Sequence, residues 1–142
     1  MDTEKQSDRM TVIVQQLDAK YKATPYPAYA HLFLSKTLVD AKSYDKALVQ
    51  LNWVIQHSSI ASVQAMSTVR KARILVAQKQ YTEALTVLDT VSDEFYNAPV
   101  AMLRGDIDNA QGDSTAAQKQ YKLAAQALQK DGQKDPILEM KI

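Results

Sequence analysis

Side chains that could do chemistry are few in this chain. The two histidines, His31 and His57, stand 26 residues apart, and neither has a carboxylate at the short spacing that marks a metal ligand set or an oriented general base. With no cysteine, thiol nucleophiles, zinc ribbons and iron–sulfur ligation drop out. The three glycines, Gly105, Gly112 and Gly132, are too dispersed to form a phosphate-cradling or dinucleotide-binding loop. Serine and threonine are plentiful, but their spacing yields no Ser, His and Asp arrangement, and helix caps and solvated positions account for them. The residues therefore point to a non-catalytic protein with no cofactor and no bound metal.

What remains is recognition chemistry. Arg70, Lys71, Arg73 and Lys79 form the one basic cluster. Each helical residue turns by about 100°, so the first three spread round much of a helix and read as a solvated face rather than an anion site. Leu103-Arg104-Gly105-Asp106 contains an Arg-Gly-Asp triplet, which in a loop can be an adhesion signal. Mid-helix it reads as a glycine at a helix crossing with charged neighbours on more open faces. Trp53, the only tryptophan, lies between Leu51 and Val54 off the main apolar stripe, where packing on an N-terminal helix is expected and anchoring of a partner is the alternative.

Composition bounds the class of molecule. The chain has 142 residues, 46% hydrophobic and 23% charged, which suits one globular domain. Its 17 Lys+Arg against 16 Asp+Glu argue against a nucleic-acid partner, since phosphate neutralisation needs a surplus of cations. No run approaches the ~18 apolar residues of a membrane span, and Met1 to Met10 is polar, so the chain as given reads as soluble. Met1 reads equally as a natural start or as the start of a piece of a longer protein.

The elements that must position these residues are helices. Ala contributes 19 residues and Gln 14 against three Gly and four Pro. Tyr44 to Val54 returns as Tyr81 to Val91, with Tyr, Ala, Leu, Leu and Val identical and spaced as one helical face. A fainter third copy runs from Gly112-Asp113 through Ala117, Tyr121 and Ala124. Each copy follows another helical stretch, at Pro27 to Ala41, Ile60 to Gln78 and Ala98 to Gln111. Breaks within pairs are expected at Lys42-Ser43, Lys79-Gln80 and Gly112-Asp113, and between pairs near Ser58-Ser59 and Asn97-Ala98-Pro99. Residues Lys5 to Lys22 read as an N-terminal capping helix. Asp135-Pro136 opens a C-terminal one whose Ile137, Leu138 and Ile142 should cover the third pair.

A helix pair of about 34 residues with small residues at fixed positions, a Tyr opening the second helix and Ala-Leu three residues on resembles the tetratricopeptide pattern. Ala47, Ala84 and Ala117 in the second helices, and Ser35, Ala72 and Gly105 twelve residues earlier, are then the crossing positions. Lys71 and Arg104 stand where the pattern usually has Leu, and Ser59 and Tyr96 where it has Pro, so the repeats are degenerate. The expected fold is all-α: a tetratricopeptide-like solenoid of about three pairs (27–58, 60–95 and 98–131, within a region 25–133), capped by 1–24 and 134–142. In such a fold the first helices line a groove. Carrying its positions over gives Tyr29, Leu32 and Lys36, then Met66, Val69 and Arg73, then Met102, Asp106 and Asn109 as candidate partner contacts. Adaptable Met and a Tyr beside a few charges suit an extended or helical protein segment, and the N-terminal helix itself is an alternative occupant.

The resemblance extends further. Leu34 through Ala47, Arg70-Lys71-Ala72-Arg73, Leu103-Arg104-Gly105-Asp106, Gly112-Asp113 and the terminal Glu139-Met140-Lys141-Ile142 look like the YfgM family, ancillary subunits of the bacterial SecYEG translocon. The likeness covers roughly Lys20 to the C-terminus. It implies an inner-membrane protein with one N-terminal transmembrane helix, lacking here, and a periplasmic repeat domain. Its implied partners are SecYEG, the periplasmic chaperone PpiD and emerging secretory chains. The alternative reading is a soluble cytosolic tetratricopeptide adaptor with no link to secretion.

Overall fold

A computed structural model describes residues 2–142 as eight α-helices and one 3-10 turn, with no strand among the described residues. Helix α1 (Thr3–Lys20) leads into three pairs: α2 (Tyr26–Asp40) with α3 (Tyr44–His57), α4 (Ala61–Ala77) with α5 (Tyr81–Leu88), and α6 (Asn97–Ala110) with α7 (Ser114–Lys130). Helix α8 (Pro136–Lys141) closes the chain. No helix among the described residues is long and apolar enough to cross a membrane.

The starts and stops have local causes. Asp2, Asp113 and Asp135 each accept a hydrogen bond from a backbone N–H in the first turn of α1, α7 and α8, satisfying donors that have no intrahelical partner. Pro27 and Pro136 sit in first turns, where the missing N–H is not needed. The first helices of all three pairs end alike. Ser43 N–H reaches Leu38 O and Lys42 N–H reaches Val39 O; the same two bonds recur at Gln80 and Lys79, and at Asp113 and Gly112. This is the Schellman closure, which puts its penultimate residue in the left-handed region: Lys42 at φ 58°, Lys79 at 60° and Gly112 at 87°.

Side chains then decide how closely the helices approach. Ala47, Ala72, Ala84 and Ala117 are all fully buried, and Ser35 is nearly so, its hydroxyl donating to Leu32 O at 2.7 Å. At Gly105 a Cβ would lie 2.5 Å from Tyr121 Cε1, so the α6–α7 contact, the most extensive in the molecule, has room only for hydrogen there. The Arg-Gly-Asp triplet is therefore a helix-crossing feature inside α6. Arg104 leaves that crossing to pair with Asp89 at the end of α5.

Helix α1 packs on α2 through Val14, through Met10 against the Thr37 hydroxyl, and through Asp18 against His31. Ile74, 37 residues after Thr37, packs in the cluster that holds Leu51 and Val54 of α3. Helix α1 thus stands to α2 as α3 stands to α4, like the second helix of an incomplete preceding pair. It leaves the groove face of α2 uncovered.

Three details depart from expectation. Helix α5 stops at Leu88, short of Val91, because Thr86, Val87, Thr90 and Val91 are β-branched and the Thr90 hydroxyl bonds back to Val87 O; an irregular stretch and the Glu94–Tyr96 turn follow. Helix α1 ends at Lys20 rather than Lys22. Of the C-terminal residues expected to cover the third pair, only Leu138 is buried, at 1% exposure; Ile137 and Ile142 remain 63% and 45% exposed, since a helix of six residues presents little more than one turn inward.

Candidate functional site

The candidate groove runs over α2, α4 and α6, whose positions the Schellman breaks and small-residue crossings fix. Tyr29 and Lys36 are exposed on α2, Arg73 on α4 and Asn109 on α6; Met66 and Met102 are half-buried. Leu32 and Val69 are corrections. At 5% and 2% exposure they belong to the first and second core clusters, packed among residues of the neighbouring helices. They can support the groove but cannot line it.

Asp106 is also committed within the chain. Tyr121 donates its phenolic hydrogen to Asp106 Oδ1 at 2.6 Å, and Lys141 Nζ donates to the same oxygen at 2.7 Å. Burial first, then the Asp106 carboxylate, pushes the Tyr121 hydroxyl well above its ordinary range, so it is held as a neutral donor. Asp106 is therefore a post joining α6, α7 and α8, and its third of the groove is partly occupied by the chain's own C-terminus.

Between α2 and α4 the groove deepens into a cleft of about 300 Å³ lined by Ser35, Lys36, Val39, Leu51, Arg70, Arg73 and Ile74. Sequence spacing placed Arg70 and Arg73 in a cluster with Lys71. The fold divides that cluster and brings Lys36 from the neighbouring helix to Arg70 and Arg73 instead. Phe33, one turn after Tyr29 and 61% exposed, extends the same face of α2. Its place four residues after Tyr29, on the same helical face, was the signal that could have marked it.

The histidines are partnered after all. His31 Nε2 lies 3.0 Å from both carboxylate oxygens of Asp18, and its Nδ1 lies 2.6 Å from Gln50 Oε1. Asp18 is thirteen residues away on another helix, so short-range spacing could not show it. Trp53 stacks between His31, at 3.9 Å between ring centroids, and His57, at 4.4 Å. It reaches α1 through His31, and its ring floors a larger open recess of about 990 Å³ with Asp18, Lys22 and Pro25. Among the described residues no group of three His, Cys, Asp or Glu could hold a metal ion.

A family model described as a tetratricopeptide repeat-like domain matches residues 1–142. Among curated relatives, the "Ancillary SecYEG translocon subunit" of Neisseria gonorrhoeae is 32% identical over 130 residues, covering 91% of this chain and 62% of the relative. The protein of the same name from Escherichia coli is 35% identical over 96 residues, 68% of this chain and 47% of the relative. A Buchnera aphidicola counterpart is 28% identical over 82% of this chain. The family likeness read from the sequence is thus matched by several relatives of one name. The matches span about half to three fifths of those relatives' length. No solved structure matches the chain.

Proposed function

Because this chain belongs to the tetratricopeptide repeat-like domain family, we propose that it is a non-catalytic protein-binding scaffold working at the bacterial Sec translocon. The observation that carries the scaffold reading is the uncovered first-helix face, with Tyr29, Lys36, Arg73 and Asn109 exposed while the chain's own N-terminal helix packs elsewhere. The translocon enters through the name shared by the matched relatives. In this reading the domain lies on the periplasmic side of the inner membrane, tethered by a helix N-terminal to the matched region. There it receives emerging secretory chains and passes them to a PpiD-type chaperone.

Half-buried Met66 and Met102, flexible and polarisable, suit a surface that accepts varied apolar side chains, and the neighbouring charges orient a segment rather than a metabolite. Purification of the full-length protein from membranes solubilised in mild detergent tests the reading. Recovery of SecYEG with the protein is expected. Recovery of cytosolic proteins alone, with SecYEG absent, contradicts it and favours a cytosolic adaptor.

A further inference from the structure

Lys36, Arg70 and Arg73 stand out because they line one cleft from two helices and have no carboxylate partner. Among the described residues the carboxylates in contact with basic side chains are Asp18 with His31, Asp89 with Arg104 and Asp106 with Lys141, so none of the three cleft cations has a carboxylate partner. Asp40, one turn beyond Lys36 on α2, is not paired with it. In a chain whose charges balance to +1, three like charges gathered on one small cleft repel one another, and an incoming anion would relieve that repulsion.

The cleft is not merely charged. Buried Leu51 and Ile74, with Val39, give it an apolar lining, and the small Ser35 lies beside them. An arginine guanidinium matches a carboxylate in a planar, two-bond geometry. Beside the cleft the exposed Tyr29 and Phe33 continue the same face of α2.

We propose that the cleft between α2 and α4 docks an acidic, partly apolar polypeptide segment. Lys36, Arg70 and Arg73 take its carboxylates, and Val39, Leu51 and Ile74 seat an adjacent apolar side chain. The proposal rests on the scaffold reading and names the chemistry of the segment bound. Nucleic acid fits less well, since three cations in a recess of about 300 Å³ do not follow a run of phosphates. A lipid surface fits less well too, because the cations line a recess between two helices instead of a projecting amphipathic face.

Fluorescence anisotropy with the 142-residue chain tests it, using a short labelled peptide of alternating Glu and Leu, its Gln-for-Glu counterpart, phosphatidylglycerol vesicles and a single-stranded oligothymidylate. The Glu peptide should bind and weaken with added salt. Arg73→Glu should lower its affinity by about tenfold or more, while Lys122→Glu, on the exposed side of α7, leaves it unchanged. Arg73→Gln, which removes charge without reversing it, should fall between, with helicity by circular dichroism unaltered in all three. Equal binding of the Gln peptide, no binding of the Glu peptide, indifference to Arg73→Glu, or preference for vesicles or oligonucleotide would each overturn the proposal. No binding of the Glu peptide by the wild type, while the full-length wild type still captures SecYEG, would sink the cleft and leave the scaffold intact. Loss of SecYEG capture by the wild type would instead sink the scaffold.

Discussion

At the scale of single residues, Gly105 and Tyr121 show how one missing side chain sets a helix spacing. Alanine at position 105 would gain about 1 kcal/mol in helix propensity. It would also push a Cβ to within 3.0 Å of three atoms of a ring that is 1% exposed and hydrogen-bonded to Asp106, so the ring could not yield without loosening that bond. Steric cost wins, and Gly105→Ala should destabilise the domain by about 1–3 kcal/mol in chemical denaturation. The same site gives a pH signature. The Tyr121 hydroxyl titrates higher in the folded than in the unfolded chain, so its contribution is fully present below the unfolded value near 10.0 and is lost as pH rises above it. Alkaline titration of stability should therefore steepen above that point, and Tyr121→Phe should flatten it. The crossing role of Gly105 was legible from its register with Ser35 and Ala72. The bond to Asp106 was not, because a groove register says nothing about a lysine 35 residues downstream.

At the scale of elements, the recurring helix closures carry a consequence for stability. Lys42 and Lys79 occupy left-handed positions that glycine fills in α6, where Gly112 serves the same closure. The left-handed backbone costs a non-glycine residue about 1–2 kcal/mol, and glycine's extra unfolded-state entropy returns about half of that. Lys42→Gly and Lys79→Gly should each raise stability by roughly 0.5–1 kcal/mol, read as an increase in melting temperature; a decrease would mean the closures are not formed. Ala84→Leu should act oppositely, destabilising by about 1–3 kcal/mol, because Ala84 is fully buried where α4 meets α5. Helix order, the breaks and the crossing residues were readable because a helix period and a repeat period reinforce one another. The early end of α5 was not, since alignment with Tyr44–Val54 carried the first copy's length onto a segment richer in β-branched residues.

At the scale of the whole molecule, the groove could be read from sequence only as a register. Register gave the first-helix face, and Tyr29, Lys36, Arg73 and Asn109 are exposed on it. Register could not separate a groove position from a core position one step away, so Leu32 and Val69 were misplaced; nor could it show that Lys36 of α2 stands beside Arg70 and Arg73 of α4. Those facts depend on how far apart two helices stand. In the proposed function, translocon-associated polypeptides are held on the first-helix face. Site-specific photocrosslinking of the protein expressed in bacterial cells tests it, with the crosslinker at Tyr29, Met66 or Met102 on that face and at Val49 or Leu123, exposed on second helices, as the comparison. Capture of translocon or secretory polypeptides from the first set and little from the second is the predicted result. Capture from Val49 and Leu123 with none from Tyr29, Met66 and Met102 would contradict the account.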